Sequence, residues 1–198
     1  MTQTLSDNDS LARHRHRLLE GMAQAVAEKG YAETTIADIV RAASVSRRTF
    51  YEHFATKAVC LIALYEAASH GALKVLREAL DPRRDWQEQV EQAMGAYFDC
   101  LACNPALVRT LFIEILGLGP EGLAARRRVN DEIADFMLQV INRSRKGRLP
   151  LSREMAMAVI GGINELVLNA IETGQVDRLR ELAAPAVQLV RAVTRDQS

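Results

Sequence analysis

Disulfide architecture is the first thing this chain has no material for. It carries three cysteines, Cys60, Cys100 and Cys103, too few for a cross-linked framework and in keeping with a reducing cytoplasm. An excess of one charge is missing too. The 25 basic and 25 acidic residues cancel, so no global field draws the chain to a polyanion, and any nucleic-acid contact has to come from a local patch. The opening "MTQTLSDNDS" has no hydrophobic segment and does not read as a signal peptide. No unbroken run approaches the roughly 18 apolar residues expected of a membrane span. Prolines number five, and alternating apolar and polar runs are scarce, which argues against sheets. No glycine-rich phosphate loop, metal-ligand cluster or nucleophile–base pair is spaced for chemistry, so an enzyme is not expected, nor a cofactor. What remains is an apolar content of 48 %, enough to bury the core of one or two small domains.

That apolar content recurs with a period of 3.6 residues, and the expected class is all-α. Leu11, Leu18, Met22, Ala25 and Val26 form one stripe that Gly30 ends. In "TTIADIVRAA", Thr35 and Asp38 are spaced as a capping box, with Ile36, Ile39, Val40 and Ala43 facing inward. Ser46 can cap a short helix to about Phe54, and Thr56 a long one that stops at Asp81-Pro82. Farther on, Asp85 and Glu88 announce a helix, Asn104-Pro105 closes it and opens another, and "GLGP" breaks that one. A helix leads from there into the basic linker "RSRKGRLP". Another, capped by Ser152, runs to about Thr173, and the last lies near 177–194 with Pro185 kinking it or splitting off its first turn.

Within this frame "SVSRRTFYEHFATK", residues 44–57, stands out. At 100° per residue Phe50 and Phe54 fall on one arc and Arg47, Arg48, Tyr51 and Glu52 on the other. The aromatics can anchor a short helix so that its other face enters a major groove. Arginine suits that face because its fork grips guanine O6 and N7, or a phosphate. Thr49 offers a hydroxyl or methyl contact to a base, and Tyr51, His53 and Lys57 are placed for phosphates. "RHRHR" at 13–17 reads either as a basic arm on phosphates or as exposed polar helix.

"TTIADIVRAASVSRRTFYEHFATK" resembles the TetR family of bacterial transcriptional regulators, closely so over about residues 11–60. Ser44 departs from the glycine the family most often has in the turn. The resemblance implies an N-terminal three-helix helix-turn-helix DNA-binding domain, taken here as residues 1–55. A helical ligand-binding and dimerisation domain, residues 56–198, would follow. It implies a homodimer on a palindromic operator in double-stranded DNA, with Ser46, Arg47, Arg48, Thr49, Tyr51 and His53 facing DNA, and Thr34 or Thr35 and Lys57 on phosphates. "GGINELVLNAIETG" reads as the family's dimerisation helix.

The expected function is a cytoplasmic, ligand-responsive repressor with no membrane partner, released by a small-molecule effector. A helical protein–protein adaptor that has lost DNA binding is the alternative. Trp86, Met94, Tyr97, Phe98, Phe112, Phe136 and Met137 are either core or the wall of an effector cavity, since both use flat rings and thioethers. Asn164 is the only polar member of its helical stripe and needs a partner: a ligand, a mate across a dimer, or water. Cys100 and Cys103 form a C-x-x-C without the second pair a zinc site wants, at a helix C-terminus where the dipole disfavours thiolate. They read as packing residues. Ala156, Ile160, Ile163, Val167, Val187 and Val190 on the last two helices are expected to make the dimer interface.

Overall fold

The computed structural model describes residues 2–144 and 150–194, among which are nine α-helices and no strand. Most of the "RSRKGRLP" linker lies outside the described residues. Helix α1 (Thr2–Glu33) breaks at Gly30, whose φ of 78° and ψ of 162° suit glycine alone. Helix α2 (Ile36–Ala42) starts in a capping box: Thr35 accepts from the Asp38 N–H, and Asp38 accepts from the Thr35 N–H at 2.9 Å. Ser46 caps α3 (Arg47–His53) through the Thr49 N–H, and Thr56 caps α4 (Lys57–Glu78) through the Val59 N–H. The four helices close over one core in which Leu18, Met22, Ile39, Phe50 and Leu61 are fully buried. Gly21 lets α1 and α2 cross at backbone distance, because a Cβ there would lie 2.6 Å from the Ile39 carbonyl oxygen.

Helix α5 (Trp86–Ala102) is capped by Asp85, and α6 (Pro105–Arg109) by Asn104 with proline in its first turn. The single helix expected between Asn104-Pro105 and "GLGP" is not what forms. After Arg109 the chain widens into a π-helical turn, Thr110–Glu114, then tightens into a 3₁₀ turn, Leu116–Leu118. Helices α7 (Pro120–Ser144) and α8 (Arg153–Glu172) follow, then a 3₁₀ segment, Val176–Leu182, and α9 (Ala183–Thr194). Pro185 sits in the first turn of α9, where a missing N–H leaves no bond unmade.

Helices α5, α8 and α9 share a second core, around Phe98, Val159, Val167 and Leu179. This corrects the expected interface. Ala156, Ile160, Ile163, Val167, Val187 and Val190 are each at most 8 % exposed within the single chain, so these side chains are core and have no surface left to give a partner. By length and composition α4 and α8 are apolar enough to cross a membrane, with mean hydropathies of 1.4 and 1.3. Alanine, with the larger aliphatics, raises those means without an unbroken run of 18 apolar residues. In the fold α4 packs on α1, α5 and α7, and α8 on α7 and α9.

Candidate nucleic-acid interface and effector cavity

Helix α3 is held by its apolar side and free on the other. Phe50 is 0 % and Phe54 3 % exposed, with ring centroids 5.8 Å apart, while Tyr51 is 59 % exposed. Arg47 and Arg48 are exposed beside it. Arg48 Nε donates to Glu52 at 3.0 Å on the same helix, a surface pair worth about 0.3–0.5 kcal/mol, which a guanine or phosphate outcompetes. Ser46 and Thr49 hydroxyls lie 2.9 Å apart at the N-terminus. The turn into α3 passes through Ser44 at φ 51°, the left-handed geometry that makes glycine the easier residue there. The Arg17 guanidinium donates to the Ser44 carbonyl at 2.8 Å, and Arg15 lies 5.6 Å from the Phe54 ring centroid. The basic segment of α1 therefore packs along the helix-turn-helix unit.

Three of the expected phosphate contacts, Thr34, Thr35 and Lys57, have other occupations. Thr34 is 1 % exposed, and its hydroxyl donates to the Gly30 carbonyl at 2.7 Å and lies within reach of that of Ala25. It secures the break in α1 and has no side-chain atom for a phosphate. The Thr35 hydroxyl is engaged in the α2 capping box. Lys57 Nζ donates to the Tyr31 and Thr34 carbonyls, both at 2.8 Å, and lies 4.2 Å from the Tyr31 ring centroid. It closes the end of α1, where orphan carbonyls and the helix dipole call for a cation. His53 is half-buried, and its Nε2 is buried without a partner among the described residues. Burial first, then neighbouring His14, push its pKa below the ordinary value. Asp38 anchors the base of the unit: its carboxyl is held well below the usual carboxylate range by the hydrogen bond from Lys29, and next by Thr35.

In the second half of the chain two cavities, of about 100 and about 170 Å³, lie side by side. The first is walled by α4, α5, α7, α8 and α9 and brings together Trp86, Met94, Tyr97, Phe136, Met137 and Asn164. The second holds Phe112 and again Tyr97 and Asn164. Phe98 lines neither. It is 0 % exposed and faces the core shared with α8 and α9, so its assignment to the cavity wall is corrected: it lies one residue from Tyr97, about 100° around the helix. Helix α4, which the sequence reading left out of the wall, contributes Leu76 to both cavities. Burial pushes the Tyr97 hydroxyl well above the usual phenol range.

A model of bacterial regulatory proteins of the tetR family matches residues 18–64, the span of the helix-turn-helix core just described. Those residues carry the helix-turn-helix domain of the TetR family. The chain is 28 % identical over 162 residues to the nucleoid occlusion factor SlmA of Vibrio campbellii, covering 78 % of this chain and 82 % of that one. It is 21 % identical over 146 residues to the HTH-type transcriptional activator FasR of Mycolicibacterium smegmatis, covering 74 % and 67 %. In fold it is similar to the transcriptional regulator FadR of Bacillus subtilis in complex with stearoyl-CoA, with a TM-score of 0.75, 20 % identity, and 88 % and 96 % of the two chains covered.

The TetR-family domain makes this chain a DNA-binding regulator, and that family is non-enzymatic. Among the described residues no three His, Cys, Asp or Glu side chains gather to hold a metal ion. Burial pushes the Cys60 thiol up to about 12, and it also raises Cys100, which suits packing and not nucleophilic chemistry. Sequence reasoning missed Glu114. From the π-helical turn it accepts a hydrogen bond from the Tyr31 N–H at 3.3 Å and lies 3.8 Å from Arg109 Nε. The contact spans 83 residues of sequence, and no local pattern announces it.

Proposed function

We propose that this TetR-family regulator is a cytoplasmic, homodimeric repressor that binds a palindromic operator and is released by a small-molecule effector. The exposed arc of α3 carries the reading: Arg47, Arg48, Thr49 and Tyr51 stand on an anchor of two buried phenylalanines, the arrangement a recognition helix needs. The domain boundary at residues 55 and 56 falls at the end of α3, with α4 serving both cores. The dimer is assigned to the outer faces of α8 and α9, where Met155, Ala158, Gly161, Ala184 and Ala192 are exposed. The effector site is the pair of cavities between α4, α5, α7 and α8, and the stearoyl-CoA held by the Bacillus subtilis relative supports an elongated, chain-like ligand.

Selection from a pool of random duplexes tests this. The protein should enrich a two-fold symmetric sequence, and Arg48→Ala should lose about 1–3 kcal/mol on it and relax preference at one position per half-site. Enrichment of no sequence, or a variant that binds and discriminates like the wild type, refutes the recognition-helix assignment.

A further inference from the structure

Ser44 ends α2 in a conformation that its own side chain disfavours. Beyond the Ala43 cap, the Ser44 N–H donates to the Arg41 carbonyl at 3.1 Å and the Val45 N–H to the Val40 carbonyl at 3.0 Å. That pair of bonds sends the residue after the cap through the left-handed region, where glycine is the usual occupant. Among the described residues Ser44 is the one non-glycine found there, and its Cβ crowds the following carbonyl. The same residue governs the start of α3, since only Val45 lies between it and the Ser46 cap. The φ that Ser44 holds therefore sets the angle at which Arg47, Arg48 and Tyr51 are presented.

What holds that φ comes from 27 residues away. Arg17 donates to the Ser44 carbonyl at 2.8 Å and pairs with no carboxylate among the described residues. A charged donor orients the peptide group it bonds more firmly than a neutral one. The stem of Arg17 also starts from a fixed base, because one turn along α1 Gly21 crosses α2 at backbone distance, against Ile39 and Ala43. Arg15, two residues earlier, lies over the ring of Phe54, the residue that caps the far end of α3. Arg15 falls about 60° to one side of the buried Leu18 and Arg17 about 100° to the other, so α1 reaches both ends of α3.

We infer that Arg17 is a positioning residue for sequence recognition: by holding the Ser44 carbonyl it keeps a serine in a glycine's conformation and fixes the angle of α3 on the base edges. Glycine would adopt this φ unaided, so the serine and the arginine work as a matched pair. Arg17 in the basic segment is then aimed at the protein and not at a phosphate. Sequence is read through base edges, so a recognition helix free to take other angles loses discrimination first and keeps its electrostatic, non-specific binding. This inference rests on the recognition-helix reading of α3 above.

Fluorescence anisotropy on the duplex enriched by the selection above, and on a random duplex, tests it. Arg17→Ala should weaken the enriched duplex by about fivefold or more and the random duplex by about twofold or less, with the salt slope as in the wild type. In a Ser44→Gly background the same substitution should cost about twofold or less on the enriched duplex. A change that is merely structural would lower the melting temperature and leave the ratio of the two affinities where it was, which overturns the inference. Equal losses with and without Ser44→Gly overturn it as well, and so does a salt slope reduced by about one unit, the mark of a phosphate contact. Arg48→Ala separates the two claims. If it weakens the enriched duplex and Arg17→Ala does not, the positioning role alone falls; if neither variant differs from the wild type, the recognition-helix reading falls and takes the positioning role with it.

Discussion

Gly21→Ala puts a methyl group where the α1–α2 crossing has no room. Its Cβ would lie 2.6 Å from the Ile39 carbonyl oxygen, 2.8 Å from the Ala43 nitrogen and 2.9 Å from the Ala43 Cβ. Two of those atoms are backbone, so no rotamer change relieves the contact and the helices have to move apart. Overpacking of a closed core costs about 1–3 kcal/mol, and rigid neighbours place this case toward the upper end. Alanine returns about 0.5–1 kcal/mol through its better helix propensity. The expected net loss is about 1–2 kcal/mol, or roughly 2–8 °C in melting temperature for a chain of this size. Gly71→Ala and Gly95→Ala are the internal controls, since a Cβ at either meets nothing within 4 Å. Both should hold or gain stability. Thermal melts by far-UV circular dichroism decide the matter: a Gly21→Ala protein that melts with the wild type, or together with the two controls, refutes the close crossing. Operator affinity should fall with it, because α2 carries α3.

Lys57→Met keeps the aliphatic stem but removes the charged donor to the Tyr31 and Thr34 carbonyls, so it should cost about 1.5–3 kcal/mol of stability while the salt slope of operator binding stays as in the wild type. A slope reduced by about one unit would show that Lys57 touches a phosphate after all. Asp38 gives the fold an acid limit. Its folded pKa is depressed by Lys29 and then Thr35, so its stabilisation is fully present above the ordinary value of 3.8 and is lost as pH falls toward the lower folded value. Urea melts between about pH 5 and about pH 2 should show a shallower decline in Asp38→Asn than in the wild type, and equal slopes would place the acid limit elsewhere.

Much of the fold was legible because helix starts are local. Thr35 with Asp38, Ser46, Thr56, Asp85, Asn104 and Ser152 each sit at the cap their spacing announces. A side chain and an N–H three residues on need nothing from the rest of the molecule. The anchoring of α3 by Phe50 and Phe54 follows from helical periodicity in the same way. What could not be read is decided by which face meets which neighbour. Thr34 and Lys57 are polar residues beside a recognition helix, and only the return of α1 against α4 spends them on carbonyls. Tyr97 and Phe98 are adjacent aromatics, and only the placement of α8 and α9 sends one to the cavity and the other to the core. The π-helical turn at Thr110–Glu114 was invisible because "TLFIE" has ordinary helix-forming residues, and its geometry is imposed by packing.

The contact from that turn to the end of α1 limits how strongly any switch built on it can act. Leu111 and Phe112, on the same turn as Glu114, line the second cavity, so a ligand that displaces them also pulls on the hydrogen bond to Tyr31. A hydrogen bond to a charged group is worth about 1.5–3 kcal/mol, which corresponds to roughly a ten- to hundredfold change in an equilibrium. Linkage makes that figure a ceiling in both directions. Through this one clasp, an effector can loosen a protomer's grip on DNA by no more than about a hundredfold, and DNA can loosen the grip on the effector by no more. In the proposed homodimer a sharper response would come from two clasps opened together, which multiply their factors. The dynamic range of the regulator would then be set less by how tightly its ligand binds than by one carboxylate reaching one backbone N–H.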